Sequence, residues 1–383
     1  MNSLRDTIES SPQLRRLLWE AGEREQQPEP QPLGPALWDW STIRRVLLVR
    51  LRSIGDTVLT TPSLFAVRRF LPHARIDILL EDWVAPVLEG LADVDNIITF
   101  KRGSKKERLL ATRAIRKARY DVVFNLHGGT TATFMTRASG AKHRVGFGHY
   151  QYKNLHNHLA PPSPELWGRD KLHSVEQQLA LLGWTGIPVS DRPPTRLAVT
   201  PEAATKVSER FRDLGLDENR PFAVIHPAAA FATKQWAVDR FARVAEELAG
   251  RGIDSVAISA PNEAAVVAAL MQEAQVRVAG FTDLSLPEVT ALVARGRLFV
   301  GNDSGIAHVA AAAGSPLVVI FGSSNVTHWR PWTTQPNEVV REEFPCQPCP
   351  GYFCAEFEKP ECILSVPVAR VVGAIDRVLR ESA

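Results

Sequence analysis

Residues 298–321 constrain the fold of this chain more than any other stretch. Residues 298–300 are apolar and end at the polar turn Gly301-Asn302-Asp303-Ser304-Gly305, after which an alanine-rich segment leads to a second apolar run at 317–321. This pattern predicts a strand, a tight turn, a short helix and another strand. Such a βαβ unit belongs to an open α/β sheet, where ligands bind at the carboxyl ends of strands and the start of a helix attracts phosphate.

The turn itself has two interpretations. Asp303 or Ser304 before a helix can be an ordinary N-cap. Alternatively, Gly301 and Gly305 allow the backbone to approach a ligand closely, Ser304 adds a hydroxyl, and Asp303 and His308 can face the same space. The turn alone leaves a helix cap and a phosphate site equally open.

Length and charge narrow the class of protein. A chain of 383 residues is long enough for two domains with substantial cores. A hydrophobic content of 45% and a net charge of +3 are ordinary for an enzyme and do not favour a nucleic-acid partner. No apolar run approaches the roughly 20 residues that span a bilayer, and charges interrupt the N-terminus where a signal peptide needs an apolar core. We therefore expect a cytoplasmic protein.

The chain divides into four parts. Residues 1–40 are an appendage that ends in a linker rich in Pro, Gln and Glu. The segment before the linker is either a short amphipathic helix that touches a membrane surface or another subunit, or a frayed terminus. Strand and helix patterns alternate through 41–190 and again through 195–365, and 366–383 form a C-terminal helix. This alternation predicts two doubly wound parallel sheets with a cleft between them. Neither domain contains a GxGxxG motif, so a dinucleotide is not indicated.

The strand and helix predictions are specific. In the first domain we expect strands at 43–51, 75–80, 96–100, 120–126 and 144–147, and helices at 57–71, 105–119, 131–139 and 173–182. In the second domain we expect strands at 222–226, 253–259, 276–279, 298–300 and 317–321, and helices at 238–249, 263–273, 286–294, 306–313 and 368–379.

Polar turns at strand ends are the candidate chemistry of the first domain. Ser53, Gly55 and Asp56 follow the first strand where a helix begins. Asp56 could accept a proton from an attacking hydroxyl, or it could simply complement the helix dipole. His127, followed by two glycines, ends a later strand; a lone His is more often structural, but the glycines favour close approach of a ligand.

Two loops of the second domain carry further candidates. Lys234, preceded by Thr233, follows a strand end, where a lysine either reaches a phosphate or is solvated at the surface. Glu263 follows the next strand, where acidic residues accept hydrogen bonds from ribose hydroxyls. Together these positions place an anion-binding domain opposite a domain that carries a candidate base.

Four segments resemble glycosyltransferase family 9, which includes the ADP-heptose:lipopolysaccharide heptosyltransferases. They are LLVRLRSIGDTVLTTPSL at 47–64, NLHGGTTATFMTRASGAKHRVGF at 125–147, HPAAAFATKQW at 226–236 and FVGNDSGIAHVAAAAGSPLVVIFG at 299–322. The resemblance spans about 41–340. It implies the GT-B architecture, two Rossmann-like domains facing each other across a cleft, and inverting transfer of heptose from ADP-heptose with no catalytic metal. One departure is that HPAAAFATKQW lacks the glycine often found after HP, which puts details of donor binding in doubt.

The resemblance also assigns roles to residues. It implies that Asp56 is the catalytic base, with Ser53, Gly55, His127 and Arg137 on the acceptor side, where Arg137 would pair with acidic groups of a lipid-linked sugar. It implies donor binding by the residues of the second domain, namely Thr233, Lys234, Glu263, Asp303, Ser304, Gly305 and His308.

All four cysteines lie in a Pro- and Gly-rich insert at 344–363, as Cys346, Cys349, Cys354 and Cys362. In a cytoplasmic protein such a cluster favours a metal over disulfides, although the spacing of the second pair is loose. Some family relatives that glycosylate proteins are thought to carry a four-cysteine iron site there. Zinc and iron are both open, and redox-active or disulfide pairs and free thiols are the alternatives.

These patterns together predict an inverting GT-B glycosyltransferase that uses ADP-heptose. Its acceptor would be a lipopolysaccharide-core or related cell-envelope glycan, handled at the cytoplasmic face of the inner membrane. An alternative enzyme would glycosylate protein or use another nucleotide-sugar. A protein of another class would be a non-catalytic scaffold that binds a nucleotide-sugar.

Overall fold

A computed structural model describes residues 29–349 and 352–382. The helix predicted near the N-terminus lies outside these residues. Within the described part of the chain, no helix is long and apolar enough to cross a membrane.

The first domain is built on a parallel sheet with strand order β3-β2-β1-β4-β5-β6. Its central strands are rich in apolar residues and buried except at Arg45 and Arg75, as expected where helices cover both sides of a parallel sheet. The strands are β1 (Arg45–Val49), β2 (Arg75–Glu81), β3 (Asn96–Phe100), β4 (Val122–Asn125), β5 (His143–Phe147) and β6 (His158–Ala160). The helices are α1 (Ile54–Val58), α2 (Thr61–Phe70), α3 (Lys105–Ala118), α4 (Thr130–Ala138), α5 (Ser163–Trp167) and α6 (Ser174–Gly183).

The second domain repeats this arrangement with strand order β12-β11-β10-β7-β8-β9, also parallel. The strands are β7 (Phe222–His226), β8 (Asp254–Ile258), β9 (Val278–Phe281), β10 (Leu298–Asn302), β11 (Leu317–Ile320) and β12 (Asn337–Val340). The helices are α7 (Pro201–Asp213), α8 (Val238–Gly250), α9 (Ala264–Glu273), α10 (Leu286–Arg295), α11 (Gly305–Ala312), α12 (Val326–Trp329), α13 (Glu361–Leu364) and α14 (Val368–Glu381). The last helix packs on β11 and β12.

In each sheet the direction in which the chain adds successive strands reverses at the centre. In the first sheet the chain moves outward from β1 and returns to place β4 on the other side of β1; in the second, β10 returns beside β7. Ligands of open α/β sheets bind at such points, outside the carboxyl ends of the two strands. The candidate site residues follow β1 and β4 in one domain and β7 and β10 in the other, so topology brings them to the binding edge of each sheet.

The structure differs from the sequence predictions at several elements. The helix predicted at 57–71 is two helices, α1 and α2, because Pro62 starts a second helix and the Thr60 hydroxyl donates to the Asp56 carbonyl at 2.9 Å. The strand predicted at 276–279 lies two residues later, as β9. The short edge strands β6 and β12 and the amphipathic helix α7 were not predicted.

Candidate active site

A cavity of about 630 Å³ lies between the two domains. The first domain lines it with residues 53–56 and Trp83, and the second with residues from the ends of β7, β8 and β10. Six of the seven predicted donor residues reach it: Lys234, Glu263, Asp303, Ser304, Gly305 and His308. The predicted base Asp56 faces the same cavity from the other side.

The two domains touch at the start of α1 and α11. A Cβ at Gly55 would lie 2.8 Å from Cδ2 of His308, and a Cβ at Gly305 would lie 3.2 Å from the backbone nitrogen of Gly55. Only glycine leaves room for this approach. The two helix N-termini therefore meet at the cavity, one from each domain.

Asp56 lies in the first turn of α1, and its carboxylate is held from two sides. One oxygen accepts hydrogen bonds from the backbone nitrogen and hydroxyl of Ser53 at 3.2 and 3.3 Å. The other pairs with the guanidinium of Arg50. The side chain remains 22% exposed, so the carboxylate is oriented and still reachable from the cavity.

Arg50 is a residue that sequence reasoning missed. It follows β1 directly, its side chain is only 12% exposed, and Nη1 donates to the Leu126 carbonyl at 2.6 Å while Nη2 meets Asp56. Its buried Nε finds no hydrogen-bond partner among the described residues. The only signal in the sequence was a charged residue at the end of a strongly apolar strand.

The second domain carries a cation held by a buried acid. Nζ of Lys234 lies 2.8 Å from Oδ2 of Asp303, whose side chain is 5% exposed. The hydroxyl of Ser324 also donates to this oxygen. The cation therefore has a fixed position at the cavity wall, next to the start of α11.

Buried hydrogen bonds keep the Lys234 loop against this strand end. The Asn302 side chain accepts from the backbone nitrogen of Trp236 at 3.1 Å and donates to the Pro227 carbonyl at 2.8 Å. Thr233 is buried and its hydroxyl accepts from Ser323 at 3.1 Å. Thr233 is absent from the described lining of the cavity, and its predicted role in binding the donor stays a prediction.

Burial lowers the pKa of two histidines of this domain. Burial lowers the pKa of His226 to about 4, and its Nδ1 lies 3.3 Å from the Ser304 hydroxyl. Burial also lowers the pKa of His308, against the opposing influence of Asp303 and Asp56. The buried Nδ1 of His308 has no hydrogen-bond partner within the described part of the chain. Its imidazole lies near both acids, and its unpaired ring nitrogen can form a hydrogen bond to a ligand.

The residues predicted to bind the acceptor lie in different places. His127 lines a second cavity of about 370 Å³, together with Arg52, Arg102 and Arg108, and burial lowers its pKa to about 4. Arg137 is exposed on α4 and is absent from the described lining of both cavities. Ser53 and Gly55 line the larger cavity. Asp56 lies close enough to His127 to oppose this lowering of its pKa, whereas no such contact is described for Arg137.

The cysteine insert contacts the donor side of the site. Nε2 of Gln347 donates to the Gly322 carbonyl at 2.7 Å, and the backbone nitrogen of Cys349 donates to the Ser323 carbonyl at 3.1 Å. Burial raises the pKa of Cys362 to about 11, and the thiols of the other three cysteines add to this. Within residues 29–349 and 352–382, no three His, Cys, Asp or Glu side chains are arranged to hold a metal ion.

Two Rossmann-like domains that share one cavity at the carboxyl ends of their parallel strands define the GT-B class of glycosyltransferases. Residues 108–359 match glycosyltransferase family 9 (heptosyltransferase), and the chain belongs to this family. It is therefore a glycosyltransferase, as the sequence predicted.

Known proteins agree with this assignment. Lipopolysaccharide heptosyltransferase 3 of Escherichia coli is 27% identical, with 87% of this chain and 98% of that protein covered. The structure of E. coli ADP-heptose lps heptosyltransferase II has a TM-score of 0.73 at 22% identity, covering 88% of this chain and all of that one. The iron-containing dodecameric glycosyltransferase TibC from enterotoxigenic E. coli H10407 has a TM-score of 0.54 at 15% identity, covering 92% and 80%.

Proposed function

We propose that this protein transfers a heptose from ADP-heptose, with inversion, to a lipopolysaccharide-core or related cell-envelope glycan. The observation that carries the proposal is the shared cavity, which places the carboxylate of Asp56 opposite the Lys234 ammonium and the start of α11. The similarity to lipopolysaccharide heptosyltransferases supports the choice of sugar and acceptor.

The reaction follows from the residues on each side. The acceptor hydroxyl attacks the anomeric carbon of the donor, and its proton passes to the Asp56 carboxylate. As the new carbon–oxygen bond forms, the bond from the anomeric carbon to the diphosphate oxygen breaks, and ADP leaves with the electron pair. Attack from the face opposite the leaving group inverts the anomeric centre.

The departing diphosphate needs positive charge that is in place before the reaction. Lys234 supplies an ammonium that Asp303 holds in position, and the N–H groups at the start of α11 supply further donors. Asp303 keeps the ammonium in position without itself facing the acceptor. His308, whose Nδ1 has no hydrogen-bond partner among the described residues, would bind the donor sugar or its phosphate.

Glu263 lies at the far end of the same cavity, on the turn after β8. Ile258, Leu284 and Leu286 give this end an apolar wall. We assign the nucleoside to it, with Glu263 accepting hydrogen bonds from ribose hydroxyls. The acceptor then enters from the first domain, past Ser53 and His127. Arg137 keeps its proposed role of pairing with an acidic group, at the outer edge of the acceptor path.

A donor screen tests the proposal. Calorimetry of the full chain with ADP-, UDP- and GDP-sugars should give binding of the ADP-sugar, and ADP-heptose with a heptose-deficient core acceptor should give a product of opposite anomeric configuration. Binding of a UDP- or GDP-sugar alone would overturn the choice of donor. Binding of ADP-heptose without turnover on any glycan or protein acceptor would indicate a non-catalytic nucleotide-sugar-binding scaffold instead.

We also propose that Cys346, Cys349, Cys354 and Cys362 hold a structural zinc or iron ion. Four thiols are a donor set that suits either metal, and all four lie in one short insert, within residues 346–362. The structurally similar glycosyltransferase TibC is iron-containing, which supports this choice. The ion would fix the insert against residues 322–323, with no part in the transfer step. Metal analysis of the purified chain tests this: no zinc or iron together with four titratable thiols would overturn it.

We further place the protein at the cytoplasmic face of the inner membrane, as a peripheral enzyme. A lipid-linked acceptor, which the proposed function requires, is presented at a membrane surface. Co-fractionation with membranes that salt reverses is the expected result, and recovery entirely in the soluble fraction at low salt would contradict it.

A further inference from the structure

The surface of the first domain that carries α3 has an unusual charge. Over residues 105–119 the sequence holds seven Lys or Arg and one Glu, whereas the whole chain holds 45 basic and 42 acidic residues. Six of these basic residues lie on α3 and Arg119 follows it. We call the outward face of α3, together with the adjacent exposed part of α4, the basic face.

The basic face contains apolar side chains that the domain does not cover. Ala111 and Ile115 lie on the inner face of α3 and are buried. Leu109 and Leu110, on the other side of the helix, are about half exposed, at 51% and 50%. Lys106 lies three residues before Leu109 and Arg113 four residues after it, so both flank that leucine on the helix surface. This mixture of cations and apolar groups is typical of helices that lie in a membrane interface.

The basic face continues onto α4. Arg116 on α3 donates to the Ala138 carbonyl at the end of α4, which joins the two helices side by side. Phe134 on α4 is 51% exposed, and its ring lies 5.5 Å from that of Tyr152, which is 47% exposed. Two exposed aromatic rings therefore extend the apolar part of the surface, as rings do at the level of lipid headgroups.

The charge of the basic face is not neutralised within the protein. None of the seven basic side chains forms an ion pair with an acid in the described residues. The one acid, Glu107, accepts a hydrogen bond from the backbone nitrogen of Lys101 at 2.7 Å. We propose that the basic face docks on an anionic phospholipid surface, with Leu109, Leu110, Phe134 and Tyr152 inserted among the headgroups.

This docking deepens the proposed function by naming the surface that receives a lipid-linked acceptor. The cavity lined by Arg52, Arg102, Arg108 and His127 opens between the N-terminal ends of α3 and α4. A membrane against the basic face would lie beside this opening, so the acceptor sugar could reach Asp56 while its lipid stays in the bilayer.

Vesicle sedimentation of the full chain tests the proposal without any sugar substrate. We expect binding to vesicles of equal parts phosphatidylglycerol and phosphatidylcholine, reversed by salt, and weak binding to pure phosphatidylcholine. The pair Lys106→Gln and Arg113→Gln should lower the partition coefficient about 25-fold, at about fivefold per charge. The pair Leu109→Ser and Leu110→Ser should lower it as well. The matched control, Arg212→Gln and Arg243→Gln, removes two exposed charges from the second domain and should leave binding unchanged.

Unchanged circular dichroism and unchanged transfer to a lipid-free acceptor will show that the basic-face variants are folded. Absence of vesicle binding, or equal loss in the control pair, would overturn the proposal. So would binding of DNA with no binding of anionic vesicles. If vesicle binding behaves as expected but ADP-heptose is not a substrate, the docking surface stands and the proposed function fails.

Discussion

The two domains of this protein share a local arrangement of strand, aspartate and helix, but the two aspartates have different surroundings. In each, a buried strand ends, an aspartate follows, and a helix starts at the cavity. Asp56 in the first domain is 22% exposed, faces the cavity and is paired with an arginine from its own strand end. Asp303 in the second is 5% exposed and is occupied by Lys234 and Ser324.

The difference shows that burial and partners decide what an acid does. A carboxylate that stays reachable from the cavity, although both of its oxygens are held, can accept a proton from a bound hydroxyl. A carboxylate that is enclosed by a cation and a hydroxyl can only hold that cation in place. We therefore propose that Asp56 is the catalytic residue and that Asp303 is a positioning residue.

The largest expected effect comes from removing the base. Asp56→Asn should lower kcat by about 10³-fold, since positioned proton transfer contributes on this order, while the Kd for ADP stays within a few-fold. Asp303→Asn is the matched variant and should mainly weaken ADP binding. Steady-state kinetics and calorimetry separate the two, and a loss of kcat confined to Asp303→Asn would reverse the assignment.

Loss of the Lys234 ammonium should have the second largest effect. Lys234→Met should lower kcat/KM by about 10²-fold, because the leaving diphosphate loses a preorganised charge. Asp303→Asn should act in the same direction and less strongly, since it moves the ammonium without removing it. Lys206→Met, at an exposed lysine on α7, is the control and should leave kinetics unchanged. Equal activity of Lys234→Met and the parent protein would remove Lys234 from the donor site.

Replacing Arg50 should have a smaller effect, and this effect should be mainly on kcat. Arg50→Met releases the Asp56 carboxylate from one of its two contacts and should lower kcat about tenfold with little change in the KM for the donor. Arg50→Lys should restore part of the rate, because an ammonium can still pair with Asp56. If both variants instead raise the donor KM equally and spare kcat, Arg50 belongs to the binding of the donor.

The smallest effect concerns stability. Burial lowers the pKa of His226 to about 4, against 6.5 for an unperturbed histidine. The unfolded chain therefore binds a proton that the folded one does not, and stability falls as pH drops from about 6.5 toward 4. Between pH 7.5 and 5.5 the parent protein should lose about 1 kcal/mol more than His226→Gln in urea unfolding. His127→Gln in the first domain should show a similar dependence on pH, because the pKa of His127 is also lowered to about 4. Parallel pH profiles for parent and His226→Gln would contradict this account.

Most of the site could be located from the sequence because its parts are local. An apolar run that stops at a polar turn, followed by a helical pattern, places Asp56 and Asp303 at strand ends without reference to the rest of the chain. The same logic placed Lys234 and Glu263. The predictions were wrong where a single residue changed the local structure, as when Pro62 divided one predicted helix into two.

Only the tertiary structure decided which of these residues meet. The sequence determined two α/β domains and the acids at their turns, because strand length, helical period and glycine placement are properties of short segments. It did not contain the partners: Leu126 lies 76 residues from the arginine it anchors, and Ser324 lies 21 residues from the aspartate it binds. Those contacts, the Gly55–Gly305 approach between domains and the basic face formed by α3 and α4 all arise from chain topology. They depend on free energies of packing over long separations, which no local pattern records.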